Sequence, residues 1–448
     1  MRILKFTRLR FLKKNRIFLL YTQLSIAKVL TECFRAIQYG KSEIRKLKIE
    51  IRGANSQSER DGLERKLEDI QIRVFANKNL ARILKTIVDG MVWRNIGFDR
   101  PIMRLIASNR KTGFIDITEP GFVGVLKIAK SIMWNRKSVV IINDLSNFLR
   151  VGDLTEITKF GVFIHEIKAK GGKIRNIFSL LHGMGSPSEI SKQTERLLKV
   201  QTAITHRKIL IDRTRTVHIR DIKVPFKHFI SDVRKIIMKA RKEGFYSKKI
   251  ADYLVVSCID LFQSVKLTRE EEIKDLKKFR TAEDWDDADF IIPFSNTDSF
   301  YKNEDFFVPN MTPYSIFPFA SGVCLELLSG RLILTARLNI SKIYRYFEEN
   351  GWIVVGISMD EMLKRVKKIK SLYPNIYEVY DNYDETLCVL RREKFNLAIP
   401  GTWIFRIGMD FMSAETILLE AEDIYKAAVP FKDEITTTNL LKERHIWK

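Results

Sequence analysis

Residues 151–170, VGDLTEITKFGVFIHEIKAK, restrict the fold more than any other stretch. Two runs of β-forming residues, Leu154–Ile157 and 162–167, flank the short loop Thr158-Lys159-Phe160-Gly161. A short loop ending in glycine between alternating runs predicts a β-hairpin. With the turn centred between Lys159 and Phe160, residues whose numbers sum to 319 face each other, and Asp153 falls opposite Glu166. Strand periodicity then puts Lys168 on the same face as Glu166. Cross-strand neighbours have Cβ atoms about 5 Å apart. Two carboxylates at that distance repel by roughly 3 kcal/mol at an effective dielectric near 20. A hard divalent cation, which takes oxygen ligands, reverses the sign of that interaction. An ammonium beside it can hold and polarise a water, a set suited to phosphodiester hydrolysis.

Asp153 followed by Glu166-Ile167-Lys168 after a hairpin-length gap resembles the D…(D/E)xK signature of the PD-(D/E)xK nuclease superfamily. The leading segment NDLSNFLRVGDLT, from Asn143, is similar to the approach to the site in bacterial members. The resemblance covers roughly residues 90–265 and departs from the pattern in having Gly152, not proline, before Asp153. It implies an α/β fold with a restriction-endonuclease-like core, a central mixed sheet flanked by helices. It also implies Mg²⁺, or Mn²⁺ in its place, held by Asp153, Glu166 and the Ile167 carbonyl, with Lys168 orienting or deprotonating the attacking water. A third acid on the first core helix would be Glu119, and a glutamine turned to the site from the helix after the ExK strand would be Gln193.

The charge distribution points to the same partner. The chain of 448 residues carries a formal net charge of +24. Residues 1–250 hold 53 Lys and Arg against 22 Asp and Glu, whereas residues 251–448 hold 25 against 32. A basic front half containing the acidic pair calls for a polyanion, since phosphate neutralisation supplies most non-specific nucleic-acid affinity. A membrane surface is the competing polyanion, disfavoured because no polybasic run adjoins a lipidation site or a stretch expected to span a bilayer. The four cysteines, Cys33, Cys258, Cys324 and Cys388, form no CxxC pair. They argue against a zinc ribbon or disulfide scaffold and for a reducing, cytoplasmic setting.

Three segments are expected: a basic helical region over 1–90, the nuclease-like domain over 91–265 and an α+β domain over 266–448. Residues 17–39 read as an amphipathic helix, and residues 41–89 as a charged helix pair broken near Gly53 to Ser56, a candidate arm or self-association surface. A helix follows Pro120, with Phe122, Val125, Leu126 and Ala129 on one face. The apolar run from Ser138 to Asp144 reads as a buried strand. Ser186-Pro187-Ser188-Glu189 is a capping box that starts a helix running to about Thr205. Gln193, Arg196 and Gln201 lie on its polar side. Lys173 and Arg175, with Arg196, Arg213 and Arg215, are candidate phosphate contacts, the last two on an alternating stretch expected to form edge strands. The C-terminal half alternates strand and helix patterns and carries no catalytic motif; selecting targets and binding a protein partner are its candidate roles.

The reading is a metal-dependent nuclease acting on DNA in preference to RNA, in genome maintenance or defence against foreign DNA. The alternative is a non-catalytic nucleic-acid-binding or complex-forming protein on the same scaffold.

Overall fold

The computed structural model describes residues 16–97, 116–176, 227–264, 290–294, 317–358 and 386–428, apart from short gaps, with scattered residues at 102–106, 200–225 and 360–367. The chain is a mixed α/β protein that divides into two compact units, residues 1–201 and 202–448.

The first unit opens with two long helices, α1 (Arg16–Gly53) and α2 (Gln57–Asn95). They meet at the expected break: Ser56 caps α2 by accepting from the Glu59 backbone N–H at 3.2 Å. α1 runs straight through Gly40, where the sequence suggested a boundary. A Cβ there would overlap Val74 Cγ2, so Gly40 lets the two helices approach closely. α1 is also long and apolar enough to cross a membrane by length and composition, contrary to the expectation that no stretch is. Half of that apolar window is buried inside the protein.

Behind Pro120 lies α3 (Pro120–Arg136), as its periodicity predicts. Then come β1 (Val139–Ile142), β2 (Leu154–Ile157) and β3 (Val162–His165), a three-stranded sheet in that order. β4 (Ile167–Lys170) and β5 (Lys173–Asn176) form a separate two-stranded ladder. The sheet keeps its two outer edges from open pairing by the same device. On β1 the buried Gln23 amide donates to Val140 O at 2.9 Å and accepts from Ile142 N at 2.8 Å. On β3 the buried Gln201 amide donates to Val162 O at 2.9 Å and accepts from Ile164 N at 2.9 Å. Each amide occupies the donor and acceptor that another strand would otherwise take.

The second unit begins with a small ladder of β6 (Lys208–Leu210) and β7 (Thr216–His218). α4 (Ile230–Glu243) follows, with β8 (Phe245–Ala251), β9 (Leu254–Asp260) and the short α5 (Leu261–Ser264). β10 (Phe290–Phe294) and β11 (Leu332–Leu338) complete a four-stranded sheet of order β10-β11-β9-β8. β9 pairs with β11 over seven residues, so the sheet itself crosses the boundary expected at 265. The boundary expected at 90 likewise falls inside α2. α6 (Ser321–Ser329) precedes β11, and α7 (Ile340–Glu349) follows it. β12 (Ile353–Gly356), β13 (Thr386–Arg392) and β14 (Phe395–Pro400) form a further sheet, followed by α8 (Gly401–Met409) and α9 (Ala414–Ala428). Every ladder among the described residues is antiparallel, where a mixed sheet was expected.

Candidate active site

The hairpin register is the predicted one. Leu154 faces His165, Thr155 faces Ile164, Glu156 faces Phe163 and Ile157 faces Val162. Thr158 N–H closes the turn on Gly161 O at 2.9 Å.

Beyond Leu154 the ladder changes character. Continued regularly, it would have the Gly152 carbonyl accept from Ile167 N–H. Gly152 instead turns away with φ at +69°, and its carbonyl accepts from the Asn143 side-chain amide at 3.1 Å. Asp153 takes over the vacated position: its N–H donates to His165 O at 2.7 Å, and its carboxylate accepts from Ile167 N–H at 2.5 Å. The paired register ends at Leu154 and His165, and Asp153 reaches past it to the two backbone groups that flank Glu166. A Cβ on residue 152 would sit 2.7 Å from the His165 carbonyl oxygen. Proline, with φ fixed near −65°, cannot adopt the backbone found there, which accounts for the departure from the resembled pattern.

Asp153 is half-buried and Glu166 is 3% exposed. Glu166 is also where the expected single strand over 162–167 breaks, because Ile167 begins the ladder with β5. Lys168 therefore belongs to a different ladder from Glu166's neighbours. Its backbone pairs with Arg175, and Lys170 pairs with Lys173.

Asp153, Glu166 and the Ile167 carbonyl each offer oxygen, the donor type that Mg²⁺ and Mn²⁺ take. The hydrogen bond from Ile167 does not use up the Asp153 carboxylate, since two oxygens offer about four lone-pair sites. Among the described residues no group of three or more His, Cys, Asp and Glu side chains gathers in one place. Glu119 is exposed at the N-cap position of α3 and makes no side-chain capping bond. Beside it, Asp116 is held down to about pKa 2 by the Thr118 hydroxyl, the Arg35 guanidinium at 2.8 Å and the Thr118 N–H. Gln193, Arg196, Arg213 and Arg215 lie outside the described residues, as do the side chains of Lys168, Lys173 and Arg175.

Sequence reasoning missed two polar clusters around this site. Glu156, 1% exposed, accepts from Ser138 Oγ at 2.6 Å and Arg136 at 3.0 Å and lies 2.9 Å from His165 Nε2. Burial alone would raise its carboxyl, but the hydrogen bonds from His165 and Ser138 and the nearby positive charge outweigh it and hold the pKa below the ordinary glutamate range. The second cluster ties the approach segment to α2: buried Asp89 accepts from Ser146 Oγ at 2.5 Å, Asn147 N at 2.8 Å and Asn147 Nδ2 at 2.7 Å. A buried acid on a helix and a Ser-Asn pair in a turn were the available signals. Their separation by more than fifty residues left them unlinked.

Comparison of the chain with protein-family models, with curated proteins and with solved structures finds no match.

Proposed function

We propose that this chain is a metal-dependent nuclease of the PD-(D/E)xK type, with a restriction-endonuclease-like core, that hydrolyses DNA phosphodiesters in the cytoplasm. The observation that carries this reading is the placement of Asp153. A bulged strand sets it against the backbone groups on either side of Glu166, at the point where the ladder breaks. Asp153, Glu166 and the Ile167 carbonyl would hold Mg²⁺ or Mn²⁺. Bound there, the metal lowers the pKa of a water and offsets charge developing on the phosphate oxygens. The chain's own residues do the rest. The Asp153 bond to Ile167 fixes the backbone that presents Glu166, and Lys168 orients the attacking water. Lys173 and Arg175 of β5 would contact the phosphates.

A second reading has its own support. The Asp153 carboxylate already braces the strand at Ile167, and Glu166 is almost fully buried. Both acids would then serve the fold of a protein that binds nucleic acid without cutting it. Plasmid, linear and single-stranded DNA incubated with the purified protein and Mg²⁺, Mn²⁺ or chelator separates the two. Metal-dependent cleavage that falls about 100-fold or more in Asp153→Asn, Glu166→Gln and Lys168→Ala supports the nuclease. Cleavage that survives these changes removes the site, and binding with no cleavage under either metal favours the second reading.

A further inference from the structure

We infer that the second unit carries a nucleic-acid backbone-binding surface of its own, formed by the outer face of α4 and the adjoining edge strand β8. The inference does not depend on whether the hairpin of the first unit cuts.

The α4 sequence, ISDVRKIIMKARKE, divides cleanly by periodicity. Ile230, Val233, Ile236, Ile237 and Ala240 are buried, while Ser231, Arg234, Lys235, Met238, Lys239, Lys242 and Glu243 are exposed, four cations against one acid. At 1.5 Å per residue, Lys235 and Lys242 stand about 10 Å apart along the helix, with Lys239 between them. β8 is the edge strand of its sheet and continues this surface. Lys239 Nζ lies 4.4 Å from the Tyr246 ring centroid and donates to the Tyr246 hydroxyl at 3.3 Å. Lys248, two residues along the same strand face, pairs with Asp232 at 3.1 Å. Among the described residues Lys235, Lys239 and Lys242 make no ion pair with a carboxylate, whereas Arg241 is matched by Glu326. Like charges held together at helical spacing destabilise the helix they stand on. A row of phosphates relieves that repulsion.

The other polyanion within reach, an anionic bilayer, fits less well. A membrane-lying helix needs an apolar face to insert, and the apolar face of α4 is used within the fold. On the exposed side of α4 Met238 is the one large apolar side chain.

The test uses the full chain, in chelator so that cleavage does not enter, and a random-sequence DNA at several salt concentrations. The combined variant Lys235→Gln, Lys239→Gln, Lys242→Gln is compared with a control that removes three exposed lysines of the first unit, Lys48→Gln, Lys66→Gln, Lys78→Gln. All six are exposed, so both proteins should fold, which circular dichroism checks. The α4 variant is expected to bind at least tenfold more weakly. Its slope of log affinity against log salt should be shallower by about 2 to 3, given roughly 0.7 to 0.9 for each phosphate no longer neutralised. The control should stay within about twofold of the parent chain. Equal loss in both variants would reduce the effect to net charge and overturn the inference, as would unchanged binding by the α4 variant. So would unchanged DNA binding together with lost binding to phosphatidylserine vesicles. Failure here leaves the metal-dependent cleavage assay untouched, and failure of that assay leaves this surface standing.

Discussion

Asp153 and Glu156 stand three residues apart on one side of one hairpin, and the fold treats them in opposite ways. Glu156 is enclosed in the regular part of the ladder, and both of its oxygens are engaged, by Ser138 and by His165 with Arg136. Asp153 stands where the ladder fails, half-buried, with its carboxylate replacing a missing backbone carbonyl in front of Ile167. A carboxylate saturated by its own protein is a structural group. One placed at a break in the ladder, braced against Ile167 N–H, is the candidate for coordination chemistry. The contrast lies in the backbone, since both residues are ordinary acids on a β-forming run.

The largest effect should come from the saturated partner. Glu156→Ala strands His165, Ser138 and Arg136 around an empty position, and breaking a buried pair this way costs about 3 to 5 kcal/mol. Urea denaturation should show it as a lower midpoint with little change in slope. The same carboxylate predicts a pH dependence. Its pKa is depressed in the folded state, so its stabilising contribution is complete above the unfolded value, near about 4.3, and is lost as pH falls through the lower folded value. In Glu156→Gln that part of the acid-induced loss should disappear. If the variant and the parent lose stability in parallel from pH 6 to pH 3, the saturated description of Glu156 is wrong.

Next in size is Gly152→Ala, which acts on the break itself. The added Cβ meets the His165 carbonyl oxygen, a backbone atom that cannot swing aside, on a residue with φ at +69°. A loss of about 2 to 4 kcal/mol is expected. A change under about 1 kcal/mol, with the Asp153 to Ile167 bond intact by hydrogen exchange at Ile167, would mean the bulge does not need glycine.

The hairpin register could be read from the sequence because it rests on local information, a glycine-ended loop and strict alternation. The break could not. Gly152 turns aside because the Asn143 amide captures its carbonyl, and that partnership exists only once β1 and β2 are paired. The same limit explains the glutamine. Periodicity put Gln193 and Gln201 on a polar helical side and could not tell a solvated amide from one that seals an edge strand. Only the position of β3 reveals that Gln201 does the sealing. The long helices were legible in kind, whereas the passage of α1 through Gly40 depended on the close approach of Val74. Around the candidate site, the pairing of the hairpin up to Leu154 and His165 was legible. The separation of Lys168 onto a second ladder was hidden because nothing in the local sequence, such as a glycine or proline, marks a strand end between Val162 and Lys168.

The two sealed edges offer a smaller test of how the sheet supports both acids. Gln201→Leu and Gln23→Leu each leave one buried N–H and one buried C=O without their amide partner, costing about 2 kcal/mol apiece. The two losses should add, because the amides sit on opposite edges and have no partner in common. The functional consequence should not be symmetric. Gln201 grips Val162 and Ile164 on the strand that leads directly to Glu166, whereas Gln23 grips the far strand. At a temperature where both variants are fully folded, metal-dependent cleavage should fall several-fold more in Gln201→Leu than in Gln23→Leu. Equal activity would detach the β3 edge from the acidic pair.

The smallest expected effect bears most directly on the contrast between the two acids. Asp153→Asn keeps a side-chain oxygen that can still accept from Ile167 N–H, so the strand brace survives and stability should change by less than about 1 kcal/mol. Asp153→Ala removes that acceptor and should cost roughly 1 to 2 kcal/mol more than the amide variant. If Asp153 were a brace and nothing else, the amide variant would be close to silent in every assay. If it also holds a cation, the amide variant separates the two roles, with a nearly unchanged melting temperature and loss of the stabilisation that added Mg²⁺ or Mn²⁺ gives the parent chain. That readout needs no substrate and no cleavage. A parent chain whose melting temperature does not respond to either metal up to millimolar concentration would place Asp153 beside Glu156 among the acids that serve the fold alone.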